Sequence, residues 1–338
     1  MATKSRTGRV GTWIAAALAL VGCLGASASG SGRDDAREPI RVLATTGIIA
    51  DAASAIGGDR VRVTTLMGPG VDPHLYRPTR EDARAIVRAD VILKNGFMLE
   101  GRMGESFERA ARAGRRVVAV AEGLPAEALL LEDEGAATDP HVWMSPRVWA
   151  HAVERVASVL IEAEPSSREV FEANAGEYLE RLRALDAYAS EVLGTIPEKR
   201  RVLVTAHDAF GYLGAAYGLE VVGIQGLSTE SEAGVRRIER MVSLIVEREV
   251  PAVFIETTVT DRNVRALVAG VERRGRTLTI GGELYSDALG EVGSPGETYF
   301  GMFEHNIETI ARGLGGSSPS GGFARWVRDR AGSGGGGR

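Results

Sequence analysis

Residues 166–193, SSREVFEANAGEYLERLRALDAYASEVL, contain one glycine and no proline. Val170, Ala173, Tyr178, Leu182, Leu185, Tyr188 and Val192 recur near helical spacing, the signature of an amphipathic helix. A helix of that length spans on the order of 40 Å, enough to cross from one compact lobe to another. The alternative is a helical hairpin within a single lobe. Pro165 separates this segment from residues 145–164, which also lack a strand pattern.

On either side of this helical block, short β-branched runs alternate with longer amphipathic stretches. That order predicts βαβ units and mainly parallel sheets. Upstream, strands are expected at 41–45, 61–66, 91–94 and 117–120, with helices at 48–56 and 80–88. Thr79 followed by Asp82 forms a capping arrangement before the second of these helices. Downstream, strands are expected at 202–205, 221–224, 252–256 and 277–280, with helices near 232–248, 261–274 and 297–314. The fold class is therefore α/β: two parallel-sheet lobes, 39–164 and 197–314, joined by one long linking helix at 165–196. Residues 315–338 turn to Gly and Ser, interrupted by 323–330, and read as a disordered tail.

With 44% apolar and 25% charged residues, the chain can bury an ordinary core. Its N-terminus differs from the rest. Lys4, Arg6 and Arg9 precede an apolar run, 13–21, too short to span a bilayer and typical of a signal peptide. Cys23, the single cysteine, closes Leu20-Val21-Gly22-Cys23, which resembles a bacterial lipobox. Residues 1–22 would then be cleaved, Cys23 lipidated, and 23–38 left as a flexible tether. An incidental cysteine inside a signal cut later, near Ala28, is the alternative. Loss of three basic residues and no acidic one takes the net charge from −5 to −8, which argues against nucleic acid as a partner. A lone cysteine also leaves no intramolecular disulfide, so stability must come from packing.

Three of the five histidines occupy distinctive positions. His74 ends Asp72-Pro73-His74, beyond a strand and a Gly68-Pro69-Gly70 turn. His141 ends Asp139-Pro140-His141, and His207 follows the strand 202–205. Parallel α/β sheets bind ligands beyond the carboxyl ends of their strands. Three imidazoles and one carboxylate make a closed four-ligand Zn²⁺ set. The carboxylate expected to complete it is Asp287, in Gly281-Gly282-Glu283-Leu284-Tyr285-Ser286-Asp287; Glu256 is the rival, or a partner to a histidine N–H. His151 and His305 read as helix-surface residues. No Walker or Gly-x-Ser-x-Gly motif occurs, so neither P-loop ATP hydrolysis nor an α/β-hydrolase serine is expected.

These segments, together with Asn95-Gly96, Leu99-Glu100-Gly101, Val142-Trp143, Ala206-His207-Asp208-Ala209-Phe210-Gly211-Tyr212, Gln225-Gly226-Leu227-Ser228-Thr229 and Phe254-Ile255-Glu256, strongly resemble the TroA-like family. Its members are the zinc, manganese and iron solute-binding proteins of bacterial ABC transporters. The resemblance runs from Val42 to about Leu314. It implies a non-enzymatic metal-capture subunit, extracytoplasmic, lipid-anchored and monomeric, that delivers Zn²⁺ or Mn²⁺, or Fe²⁺, to a permease driven by a separate ATPase. It also implies a metal held between the lobes by His74, His141, His207 and Asp287. A rigid linking helix permits little hinge opening, so release is expected to require that the ligand loops be disturbed.

Where many members carry Asp before the proline, this chain has Met144-Ser145-Pro146. Members regarded as manganese-specific commonly carry glutamate at the His207 position. The histidine-rich loop of dedicated zinc scavengers is absent, since 127–137 is short and acidic. The rival from another class is an exported zinc hydrolase with Glu256 or Asp208 as general base. An adhesin reading follows only from historical labels of family members, and no residue here carries it.

Overall fold

The structure, a computed structural model, describes residues 38–132 and 137–333. The signal segment, Cys23 and most of the tether lie outside the described residues. The N-terminal lobe comprises β1 (Ile40–Thr46), α1 (Gly47–Gly57), β2 (Val61–Met67), α2 (Arg80–Arg88), β3 (Val91–Lys94), α3 (Gly104–Arg112) and β4 (Arg116–Ala119). Its four strands pair in parallel in the order β2-β1-β3-β4. The chain reverses its direction of sheet growth between β1 and β3, so the loops at their carboxyl ends diverge and leave a crevice. Thr79 and Asp82 cap α2 reciprocally.

A short hairpin, β5 (Leu131–Glu132) with β6 (Ala137–Thr138), leads to α4 (Pro146–Ala163) and then α5 (Arg168–Gly194). The last is one uninterrupted helix of 27 residues, not a hairpin. Phe171, Tyr178, Leu182, Leu185, Tyr188 and Val192 on its inner face are buried.

The C-terminal lobe contains β7 (Val202–Thr205), α6 (Gly211–Tyr217), β8 (Glu220–Gly223), α7 (Val235–Arg248), β9 (Ala252–Glu256), α8 (Arg262–Glu272), β10 (Thr279–Leu284) and α9 (Tyr299–Gly313). Its strands pair in parallel as β7 with β8 and β9 with β10. One apolar core runs from β1 and α1 through α4 and α5 into α6, β9, β10 and α9. The lobes thus share a core through the linking helix rather than meeting across a wet hinge.

Two expectations require correction. The strand expected to end at 280 does not: β10 runs on through Gly281 and Gly282 to Leu284, with a register shift between Ile280 and Gly282. Gly282 has φ 149° and a Cβ there would sit 2.4 Å from Thr309 Cγ2, while one on Gly281 would sit 2.8 Å from Phe254. The glycines mark close helix-on-strand packing, not a turn. Nor is all of 315–338 a disordered tail, because Gly322–Ser333 forms a helix, α10. Phe323 on α10 is buried, and it and Trp326 pack on Tyr188 of α5. Glycine-rich flanks masked two aromatic residues placed one turn apart.

Candidate metal centre

β2 ends at Met67 and the chain turns through Gly70, whose φ of 69° a residue with a side chain rarely adopts. Asp72 then forms a tight turn in which Oδ1 accepts the backbone N–H of His74 at 2.8 Å, with Pro73 fixing the intervening backbone. The second Asp-Pro-His repeats this step: Asp139 Oδ1 accepts the His141 N–H at 2.9 Å. There the equivalence of the two motifs ends. Asp139 Oδ1 also meets His141 Nδ1 at 2.7 Å, whereas Asp72 Oδ2 turns away and accepts from Thr229 Oγ1 at 2.6 Å.

His207 leaves the end of β7, and Glu256 at the end of β9 holds it. Glu256 Oε1 accepts the His207 N–H at 2.9 Å and Oε2 meets Nδ1 at 2.5 Å. Asp287 follows β10. Its loop is fixed by Asn306 of α9, fully buried, which accepts from Tyr285 N–H at 2.9 Å and donates to Tyr285 O at 2.7 Å. From the other lobe, Trp143 Nε1 donates to Ser286 O at 2.8 Å.

These four loops bring His74, His141, His207 and Asp287 together, with one potential ligand atom from each lying within 4.8 Å of every other. All four are at most 4% exposed. The three imidazoles lie with centroids 5.3 to 5.9 Å apart. The Nε2 atoms of all three and both Asp287 oxygens are buried without a hydrogen bond, although His207 Nε2 approaches Asp287 Oδ2 to 3.2 Å. Five orphaned polar atoms aimed at one point would be a large cost in a closed interior. A divalent cation removes that cost, and three neutral nitrogens with a carboxylate suit Zn²⁺ or Mn²⁺.

The electrostatics are polarised in the same sense. Burial pushes His74 down to about 3, helped by His141 and His207 and opposed by Asp287. Burial also acts against charge on His207, but Glu256 and Asp287 outweigh it and hold its imidazole well above the usual range. Burial would raise Asp287, yet His207, then His141 and His74, keep its carboxyl far below the ordinary range.

Glu256 is thus no rival ligand in this arrangement: both of its oxygens are committed to His207. His151 stays on the exposed side of α4. His305 is only partly exposed, its Nε2 within 2.9 Å of Glu283 O and its ring against Tyr285, so it supports the strand leading to Asp287. Sequence reasoning assigned no role to Asp72, Asp139, Trp143, Thr229 or Asn306. The two aspartates could have been found, because Asp two residues before His reaches that residue's N–H. Nothing local marks Thr229 or Asn306, whose partners are 157 and 21 residues away.

A cleft of about 340 Å³ opens onto this cluster. His74 is the one member of the four that lines it, with Phe97, Met98, Thr138, Pro140 and Leu227. Gly96, Phe97 and Met98 all carry positive φ, at 99°, 48° and 63°. Buried Glu100 holds this loop by accepting from Thr45 Oγ1 at 2.6 Å and from the backbone N–H of Asn95 and Gly96.

The model of the family described as "Zinc-uptake complex component A periplasmic" (ZnuA) matches residues 42–313. The chain is 45% identical over 309 residues to the manganese-binding lipoprotein MntA of Bacillus subtilis (strain 168), covering 91% of this chain and 99% of that protein. The periplasmic zinc-binding protein TroA of Treponema pallidum superposes with a TM-score of 0.79 at 44% identity, covering 82% of this chain and 99% of that one. Fe(III)-bound YtgA of Chlamydia trachomatis superposes at 0.76 with 32% identity, over 83% and 100%. Four loop-borne ligand candidates, a shared two-lobe fold and a family match that includes every one of them lead to one statement: the chain belongs to the zinc-uptake complex component A family.

Proposed function

We propose that the chain captures one divalent transition metal, Zn²⁺ or Mn²⁺, through His74, His141, His207 and Asp287 and delivers it to the permease of an ABC importer. The observation that carries the ligand assignment is the convergence of three bare Nε2 atoms and two bare carboxylate oxygens in a closed interior. The protein is an extracytoplasmic substrate-binding subunit of an ABC importer, working with a permease and its ATPase, and it is not an enzyme. The hydrolase alternative has no support, and Glu256, one of its two proposed bases beside Asp208, is occupied in orienting His207.

Among the described residues no helix is long and apolar enough to cross a membrane. We assign membrane attachment to a lipid on Cys23 and the working form to a monomer; the resemblance of 20–23 to a lipobox supports the first. Two relatives of equal identity, 45%, are named for different metals, manganese and zinc. Zn²⁺ outbinds Mn²⁺ at most nitrogen and oxygen sites, so relative affinity does not name the cargo.

Elemental analysis of the mature protein tests the assignment. Wild type, His207→Ala and Asp287→Ala are loaded with Zn²⁺ or Mn²⁺ and desalted. About one ion per wild-type chain is expected, with sharp loss in both variants. A wild-type chain that retains no metal overturns the reading.

A further inference from the structure

Asp72 and Thr229 belong to opposite lobes; Asp72 touches the metal cluster at His74, and Thr229 reaches it through Asp72. Asp72 Oδ1 fixes the His74 backbone, while Oδ2 accepts the Thr229 hydroxyl at 2.6 Å. Thr229 is 6% exposed, so water competes poorly for that bond. The next residue, Glu230, also crosses the cleft, to Arg102 Nε at 2.8 Å, but that pair is exposed and screened. His74 lines the cleft that leads outward, and Leu227 and Ser228, adjoining Thr229, form its opposite wall. The contrast with the twin motif sharpens the point: Asp139 spends its carboxylate on its own histidine ring, Asp72 on the other lobe.

We propose that Thr229 is a positioning residue that latches the His74 loop to the C-terminal lobe and thereby sets the rate at which the bound ion leaves through this cleft. The inference rests on the four-ligand reading above. With the shared core running through both lobes, wide hinge opening would tear apolar packing. Displacing residues 68–74, short of the Tyr76 Oη–Asp82 Oδ2 bond that anchors the far end of the loop, breaks the Asp72–Thr229 bond and the His74–metal bond. Contact by a permease with the rim at Leu227 and Ser228 would then act on metal retention directly.

The test is Zn²⁺ transfer from loaded full-length protein to excess fluorescent chelator, followed in time for wild type, Thr229→Val and Thr229→Ser. Valine keeps the shape and removes the hydroxyl; serine keeps the hydroxyl. Loss of a buried charge-assisted bond predicts roughly ten- to hundredfold faster release for valine, with serine close to wild type. Arg102→Ala, which cuts only the exposed pair, is expected to change the rate less than about threefold. A cooperative thermal transition of the metal-free protein serves as the folding control for every variant, with at most a modestly lowered midpoint for Thr229→Val. If Thr229→Val releases Zn²⁺ at the wild-type rate, or Thr229→Ser is as fast as valine, the latch is wrong. Failure of the wild type to hold Zn²⁺ at all would instead defeat the ligand assignment.

Discussion

Glu256 grips His207 at two points, Oε1 on the backbone N–H at 2.9 Å and Oε2 on ring Nδ1 at 2.5 Å. The second contact requires a hydrogen on Nδ1, so Nε2 is the atom presented to the site, 3.2 Å from Asp287 Oδ2. Two strand ends, β7 and β9, thereby define one tautomer and one ring orientation.

Glu256→Gln should therefore weaken metal binding without removing a ligand. An amide has one acceptor face, so either the His207 N–H or its Nδ1–H loses its partner, or the ring turns its tautomer over and puts hydrogen on Nε2. The expected loss of affinity is roughly 10- to 100-fold, read by competition with a chelator of known strength. Equal affinity in wild type and variant would show that Glu256 does not orient His207.

Metal binding should release protons. Glu256 and Asp287 keep His207 charged well above the usual imidazole range in the metal-free protein, while His74 is already neutral, its value pushed down to about 3. At neutral pH, filling the site expels about one proton, that of His207. Calorimetry in buffers of different ionisation heat counts it; a count of zero at pH 7 would contradict this electrostatic picture. The stability of the metal-free protein responds in two opposite senses. The raised His207 contributes stability that is complete below the unfolded value and lost as pH rises through its folded one. The depressed His74 works the other way: between about 6.5 and 3 the unfolded chain binds the extra proton, so acidification through that window destabilises the fold.

Much of this arrangement is written locally in the sequence. The strand ends, the helix of 27 residues and the two Asp-Pro-His turns depend on periodicity, capping and short-range hydrogen bonds. What local pattern does not carry is which distant group completes a contact. Asp72 and Asp139 are each followed by Pro-His, yet the carboxylate of one reaches Thr229 and that of the other its own histidine ring. Gly281-Gly282 has the composition of a turn, and it is pairing with the distant β9 that makes it strand, with Thr309 of α9 leaving no room for a side chain on Gly282. Phe323 and Trp326 look isolated until Tyr188, far upstream, supplies the surface that buries them.

Asn306→Ala should loosen the Asp287 loop. It removes both hydrogen bonds to the Tyr285 backbone and leaves a buried N–H and C=O unpaired, a cost of about 2–4 kcal/mol. Part of that cost falls on the metal-loaded state, because Tyr285 is two residues from Asp287. The expected result is a lower thermal midpoint together with weaker metal retention. A variant with a lower midpoint but wild-type affinity would confine Asn306 to a purely structural role.

The C-terminal helix gives a prediction in which stability and binding separate. Phe323 is 3% exposed against Tyr188, Trp326 donates from Nε1 to Glu191 at 2.9 Å, and Arg330 lies over the Trp326 ring while bonding the same glutamate. All of this clamps the C-terminal half of α5 around Tyr188 and Glu191, remote in sequence from every ligand loop. Emptying a buried phenylalanine site costs about 3–5 kcal/mol, so Phe323→Ala should lower the chemical-denaturation midpoint substantially. Wild-type stoichiometry should survive under native conditions, since no ligand loop touches α10 through the contacts described. Loss of metal in a variant that remains folded would mean that the pose of α5, and not only of the four loops, is set by this clamp.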